Sequence, residues 1–468
     1  MRAYHGRQLH EFEGFAELTD FLATHDSDGP PRSTFEEYER QLSRLMRKLE
    51  SKIAERQLAR YDVDADRITV DGVEYLKCLS HEPKTYRSSS GPVVVPRNLY
   101  RPKGGGKSIC PLDLRAGIVG GFFTPVLASQ VLYVMGLMPS GDAEKLFEVM
   151  EIPGPSSSSC DRLPKVFNHA WEQRRESWET ALRCRETVPA EASVLAVSID
   201  GVMIPDKDAQ VEAKRQRAEA EKNKKPGKRQ TGPAGFKEVG CGTVTLYDEA
   251  GEWLETACYG RAPEYKKKTL TEQLDAEVEA ILAARPDLRL VALADGAEEN
   301  WRYFDRPIWK DAIKIVDYWH ACEHIQMGLQ TYYPAGSVSG RAEFGRLRVL
   351  LRDLDNGVDE VLQSFRAIYR KLRSKARRKD LLKEIRYFEN QRDRMNYAEY
   401  QRLGFPIGSG VVEAACKTLA VQRMKRSGMS WRHGKQGILS IRSLQQSRRW
   451  DPAWELVAAD FRKEVLAA

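Results

Sequence analysis

The sequence predicts an α/β protein: a mixed-sheet core interrupted by an all-α insertion and preceded by helical and small β N-terminal regions. Three observations predict it. Residues 194–204 (VLAVSIDGVMI) form a β-branched and aliphatic run with the length of a strand buried on both faces, broken only by Asp200 and Gly201. Residues 288–296 repeat the design, an apolar strand ending in Asp295-Gly296. Beyond residue 320 the strands stop, and residues 340–397 read as helical and basic over a span too long for a loop.

Taken in order, residues 33–61 keep Phe35, Tyr38, Leu42, Leu45, Leu49 and Ile53 at three-four spacing, a packing or dimerisation stripe. Residues 68–102 are strand-like, with turns at Asp71-Gly72 and Ser90-Gly91. Gly104-Gly105-Gly106-Lys107-Ser108 fails as a phosphate loop, because the first glycine of G-x-x-x-x-G-K-S would fall at Arg101 and no buried strand precedes it. It reads as a flexible loop. Residues 124–138, 140–150 and 159–174 read as three successive helices, a spacing that suits a helix-turn-helix reader and equally a plain bundle. Strands follow at 194–204, 240–247 and 252–258, a helix at 269–284, and strands at 288–294 and 312–316, the last running into Asp317-Tyr318-Trp319-His320. After the insertion, Gly404 to Gly410 resets the chain. Residues 411–420 then read as a helix with Ser409 as its N-cap and Glu413 in its first turn. The flanks of Glu413 are small and apolar, and a carboxylate on such a side needs a cation.

The regions implied are 1–66 (helical, a candidate dimerisation region), 67–110 (small β), 111–190 (helical, helix-turn-helix-like, DNA-binding), 191–335 (first part of the core), 336–400 (helical insertion), 401–450 (last part of the core, with the Glu413 helix) and 451–468 (C-terminal helix).

A length of 468 residues fits about two to four domains. With 41% hydrophobic and 30% charged residues the composition is that of a folded, soluble chain. No run of apolar residues is long enough to span a bilayer, and the first residues, with Arg2, His5 and Arg7, lack the apolar core of a signal peptide. A cytosolic location is expected. The eight cysteines are scattered without a C-x-x-C pair, which argues against a disulfide framework or a zinc ribbon and predicts reduced, mostly buried thiols.

The net charge of +7 is modest, but its distribution is not. Residues 414–450 contain no acid, against Lys417, Arg423, Lys425, Arg426, Arg432, Lys435, Arg442, Arg448 and Arg449. Residues 366–379 form a second acid-free run, through Arg370, Lys371, Arg373, Lys375, Arg377 and Arg378. Clusters of this kind predict a polyanionic partner, since neutralising phosphates releases counterions. A third cluster, from Lys214 through Lys224, Lys225, Lys228 and Arg229, is interleaved with glutamates and reads as a solvated helix or flexible insertion.

Asp200, Asp295 and Glu413 supply three carboxylates. Hard divalent ions take oxygen ligands, and a pair of them about 4 Å apart can activate an attacking oxygen and stabilise a leaving one. With basic stretches on both sides of Glu413, the substrate this chemistry suits is a phosphodiester backbone. Lys417, one turn after Glu413, is placed to touch the scissile phosphate. Trp431 and His433 are candidates to stack on exposed bases, with a core role equally open for Trp431. His320 and His324 are four apart, a spacing more often structural than metal-binding.

The residues Ser198-Ile199-Asp200-Gly201, Ala294-Asp295-Gly296, Asp317-Tyr318-Trp319-His320, Ile407-Gly408-Ser409-Gly410 with Glu413, and Arg426-Ser427-Gly428-Met429-Ser430-Trp431 stand in one order around one long insertion. In this the sequence, over residues 191–450, resembles a DDE transposase of a bacterial insertion sequence with an RNase H-like core, of the Kra-type or Mutator-like group. Residues 92–150, with Cys110-Pro111-Leu112-Asp113, resemble the N-terminal part of Kra-type transposases. The resemblance implies that Asp200, Asp295 and Glu413 are the catalytic triad and hold two Mg²⁺ or Mn²⁺ ions. It implies cutting of element-end DNA by water and attack of the freed 3′ hydroxyl on target DNA. Asp317 and His320 match its D-x-x-H signature, which implies a supporting role, organising the site or contacting flipped DNA. The expected DNA contacts are Lys417, Arg423, Lys425, Arg426, Trp431, Arg432 and His433. The expected partners are double-stranded DNA, at element ends and target, and further copies in a homodimer or higher oligomer. Two other classes stay open: a catalytically silent DNA-binding descendant, and an RNase H-like structure-specific nuclease.

Overall fold

The structure is a computed structural model that describes residues 12–26, 33–223 and 233–467. Arg2, His5 and Arg7, and Lys224, Lys225, Lys228 and Arg229 of the charged insertion, lie outside the described residues. The fold is mixed α/β, with a four-stranded and a five-stranded sheet. The chain divides into two compact units, Met1–Trp178 with Trp450–Ala468, and Glu179–Arg449.

The first unit opens with α1 (Phe15–His25) and α2 (Phe35–Ala59). Helix α2 starts at a capping box: the Thr34 hydroxyl accepts from the Glu37 amide while the Glu37 carboxylate accepts from the Thr34 amide at 2.9 Å. Of the apolar stripe along α2 only Leu49 is fully buried, and Phe35 is 76% exposed. Three antiparallel strands follow, β1 (Arg67–Val70), β2 (Val73–Ser88) and β3 (Gly91–Pro102). Then come α3 (Pro111–Ala116), α4 (Pro125–Leu137), α5 (Ser140–Val149), the one-turn α6 (Ser157–Cys160) and α7 (Leu163–Arg183), whose last turn belongs to the second unit.

The second unit is built on β4 (Val194–Pro205), whose first six residues are fully buried, as an uninterrupted apolar run requires. Helix α8 (Lys207–Asn223) carries much of the charged insertion as an exposed helix, with Arg215 and Glu219 paired one turn apart. Then follow β5 (Phe236–Tyr247), β6 (Trp253–Arg261), α9 (Lys268–Ala284), β7 (Arg289–Ala294), α10 (Glu298–Phe304), β8 (Ile313–Val316) and α11 (Tyr318–Gln330). The sheet order is β6-β5-β4-β7-β8. Strands β4, β5 and β6 form an antiparallel meander, and β7 and β8 extend it in parallel through the crossover helices α9 and α10. Helix α9 packs closely because β5 is glycine where they meet: a β-carbon at Gly242 would lie 2.8 Å from Leu274 Cδ1.

Helices α12 (Val338–Asp353), α13 (Gly357–Lys371), α14 (Lys375–Gln391) and α15 (Tyr397–Arg402) form the insertion. Its apolar residues, among them Leu351, Phe365 and Phe388, belong to the same buried cluster as Val194, Val291 and Ile315 of the sheet. The insertion is therefore packed into the core. Helix α16 (Gly410–Ala415) continues as a π-helical segment, Cys416–Val421, then α17 (Gln422–Met424) and α18 (Lys435–Gln446). Residues 451–468, expected as one helix, instead form α19 (Trp450–Phe461) and a short strand β9 (Leu466–Ala467) that pairs with β1 in the first unit. No helix among the described residues is long and apolar enough to cross a membrane.

Candidate functional site

The parallel pairing of β4 with β7 sets Ser198 opposite Leu293. Carried on by two residues, that register brings Asp200 level with Asp295, just past the end of β7. Strand β8 ends level with β7, Val316 opposite Ala294, so Asp317 stands at the same edge, its amide donating to the Ala294 carbonyl at 2.8 Å. Crevices at the carboxyl ends of parallel strands are where sheets of this type take ligands.

Asp200 is half-buried; its Oδ1 accepts from the Gly201 amide at 2.6 Å and its Oδ2 from the Cys416 thiol at 3.5 Å. Burial pushes its carboxyl above the ordinary range and the nearby Asp295 charge adds to this, against the Gly201 amide and the Lys267 charge. Cys416 hydrogen-bonds as well to Cys241, the residue opposite Asp200 on β5, and that contact and burial keep its thiol protonated. Asp295 Oδ1 accepts from the Ala297 amide at 3.0 Å and from the buried Asn300 side chain at 2.8 Å. Each Asp-Gly glycine admits a close neighbour. A β-carbon at Gly201 would meet Glu238 Oε1 at 2.0 Å, and one at Gly296 would meet the Tyr387 ring at 2.3 Å.

Asp317 is fully buried and acts as a tie. Its Oδ1 accepts from the His320 amide at 2.6 Å, capping α11, and its Oδ2 accepts from the Ser409 amide, at the start of the Glu413 helix. The Tyr318 amide donates to the Ile407 carbonyl at 2.8 Å alongside. Asp317→Ala would strand two buried N–H groups, and we expect it to lower stability by about 2–4 kcal/mol and to loosen the Glu413 helix. Asp317→Asn, which keeps one acceptor oxygen, should lose less. Urea midpoints of the two variants check the order.

Two expectations at the Glu413 helix are corrected. Glu413 is exposed rather than on the apolar side, because α16 packs through Val412 and Ala415 and continues through Cys416 and Leu419. Ser409 stands at the N-cap position, but its hydroxyl donates to Glu413 Oε1 at 3.1 Å and makes no cap. Among the described residues, no group of three or more His, Cys, Asp or Glu side chains is gathered closely enough to hold a metal ion. Asp200 and Asp295 fit one as a pair: they are oxygen donors, level on adjacent strands, and Asp200 is a half-buried carboxylate whose ionisation is opposed by burial and by the Asp295 charge.

His320 is half-exposed, its Nδ1 3.4 Å from Glu323. His324 is tied elsewhere, its Nδ1 2.6 Å from Glu384 and its ring stacked on Tyr387 with centroids 3.6 Å apart. Lys417, Lys425, Arg426, Arg432 and His433 are exposed. Arg432 pairs with Asp208 at 2.8 Å, and Arg423 is buried, its guanidinium 5.4 Å from the centre of the Trp431 ring. Trp431 takes the packing role: its indole N–H donates to the Met424 carbonyl at 2.9 Å and its backbone brackets the end of β4. The second basic run presents Arg370, Lys371, Arg373, Lys375, Arg377 and Lys379 to solvent where α13 meets α14.

The reading of the sequence missed Cys416, Asn300, Tyr387 and Lys267. Lys267 pairs with Glu238 at 2.8 Å, and both it and Lys266 take left-handed backbone, φ 50° and 53°, a conformation costing a lysine about 1–2 kcal/mol. The run Lys266-Lys267-Lys268 at a strand-to-helix junction is the signal that would have found it. The chain matches no protein-family model and no curated protein.

Proposed function

We propose that this chain is a DDE transposase with an RNase H-like core, cutting DNA at the ends of a mobile element and joining the ends to target DNA. One observation carries the reading: Asp200, midway along β4, comes level with Asp295, just past the end of the adjacent parallel strand β7, and the helix bearing Glu413 is anchored beside them, by Cys416 to Asp200 and by the Ser409 amide to Asp317. An antiparallel meander extended by two parallel strands, with a helical insertion before the last acid, is consistent with such a core.

Asp200, Asp295 and Glu413 would hold two Mg²⁺ or Mn²⁺ ions, which when bound would activate the attacking oxygen and stabilise the leaving one. The chain's own groups do the rest. Asn300 and the Ala297 amide fix one face of Asp295, and Asp317 fixes the helix that presents Glu413. The exposed Glu413 carboxylate can exchange the Ser409 hydroxyl for a cation at a cost of about 1 kcal/mol. Lys417, Lys425, Arg426 and the basic corner between α13 and α14 would neutralise phosphates along the duplex.

The experiment is incubation of a labelled duplex carrying the DNA that flanks the gene, with and without Mg²⁺, comparing the wild type with Glu413→Gln. We expect a metal-dependent nick at a discrete position, reduced about a hundredfold or more in the variant, with binding unchanged. Binding without any metal-dependent cut by the wild type would replace the enzyme with a silent DNA-binding protein. Cutting without joining would leave a nuclease.

A further inference from the structure

Tyr387 lies on α14, in the insertion, yet its ring reaches the acidic strand ends. A β-carbon at Gly296, the residue after Asp295, would lie 2.3 Å from Tyr387 Cε2 and 3.1 Å from its hydroxyl oxygen. The ring is held on two sides. It stacks on His324 at 3.6 Å and an interplanar angle of 15°, with His324 fixed by Glu384, and it meets Phe388 edge-on at 5.3 Å. A ring so fixed cannot turn its oxygen elsewhere without breaking the stack.

That oxygen is buried and has no hydrogen-bond partner among the described residues. Buried hydroxyls normally have one, and an unpaired one close to a cluster of acids calls for a reason. Burial first, and then the charges of Asp295, Asp317, Glu384 and Glu323, hold the phenol well above its ordinary pKa, so the oxygen stays a donor. Asp295 in turn has its Oδ1 bound by Asn300 and the Ala297 amide, both on one side of the carboxylate. Carboxylates that ligate metals are themselves oriented by donors of this kind, and losing one typically costs about 10–100-fold in metal affinity.

We propose that Tyr387 is a positioning residue: when a divalent cation is shared by Asp200 and Asp295, its hydroxyl, unpaired in the metal-free fold, donates to Asp295 Oδ2 and sets that carboxylate. The inference rests on the reading of Asp200 and Asp295 as a metal-binding pair. It gives the insertion a part in building the site: α14 supplies an orienting donor for an acid that the sheet supplies. It also explains the glycine at position 296, since any side chain there would displace the ring.

The test is calorimetric titration of the full chain with Mn²⁺ alone, without DNA, for the wild type, Tyr387→Phe and Gly296→Ala, with thermal melts of each in the absence of metal. We expect Mn²⁺ to bind about 10–100-fold more weakly to Tyr387→Phe, and its metal-free melting temperature to be equal to the wild type's or higher, because an unpaired buried hydroxyl is removed. Gly296→Ala should weaken Mn²⁺ binding in the same direction by displacing the ring. Unchanged Mn²⁺ affinity in Tyr387→Phe, with the wild type binding normally, would overturn the inference alone. A clear fall in its metal-free melting temperature would overturn it too, by showing that the hydroxyl already has a structural partner. Failure of the wild type to bind Mn²⁺ would remove the metal-binding pair and the inference with it.

Discussion

Asp200→Asn is expected to cut metal-dependent cleavage by about a thousandfold or more while leaving DNA affinity nearly unchanged, and to make the metal-free fold more stable. The two effects have one cause. Asp200 is half-buried, and its charge is opposed by burial and by Asp295. A carboxyl whose folded pKa is raised favours the fold while it is protonated: its stabilisation is complete below the ordinary carboxylate pKa and is lost as pH rises through the raised folded value. Asparagine does not titrate. Metal-free wild type should therefore fall behind the variant as the pH climbs through that window, and Mg²⁺ should restore the wild type without helping the variant. Urea midpoints from about pH 4 to pH 8, with and without Mg²⁺, check both halves of the prediction.

Arg449→Met should be the most destabilising substitution in this unit outside its apolar core, at about 3–5 kcal/mol. Arg449 is buried, donating to Glu186 Oε1 at 2.6 Å, to Glu277 and to the Tyr259 hydroxyl at 2.9 Å, while Tyr259 donates to Glu277 at 2.5 Å. Burial alone would raise the Glu277 carboxyl; the Arg449 charge and hydrogen bond outweigh it and hold Glu277 below its ordinary range. Without Arg449, Glu277 is left buried with Arg183, at 3.6 Å, as its remaining cation. The double variant Arg449→Met with Glu277→Leu should regain part of the loss, because it removes the buried carboxylate and leaves Arg183 as the charge to satisfy. Urea unfolding of the single and double variants measures this. Cleavage should be spared, since Glu277 is on α9 and does not border the acidic strand ends.

The strands were legible because their composition is extreme. An apolar run such as residues 194–199 has few alternatives to a buried strand, and the repeated Asp-Gly marks where each run meets an opening. Order along the chain does not give pairing, however, so the sequence could not say that Asp200 and Asp295 stand level. Glu413 was misjudged on its neighbours: α16 is a short turn whose buried stripe continues into a π-helical segment, and the wider winding shifts which residues face inward. The acid-free run 414–450 does not stay unpaired in the fold. Its acids come from far away in sequence, Asp206 to Lys435, Asp208 to Arg432, and Glu186 and Glu277 to Arg449, so part of that charge is spent inside the protein. Tyr387 gave no signal because a tyrosine beside a phenylalanine on a charged helix reads as core. Only the glycine it touches hinted at a close neighbour.

Strand β9 pairs with β1 through Ile68 and Thr69, near the opposite end of the chain, and Lys463 pairs with Asp71 beside it. During synthesis the whole of residues 179–449 emerges before that strand exists. The unit that carries the acids can therefore fold on the ribosome while the N-terminal sheet still shows an unpaired edge, and that edge is open to strand exchange with another nascent chain. Residues 466–467 finish the sheet that residues 67–102 began.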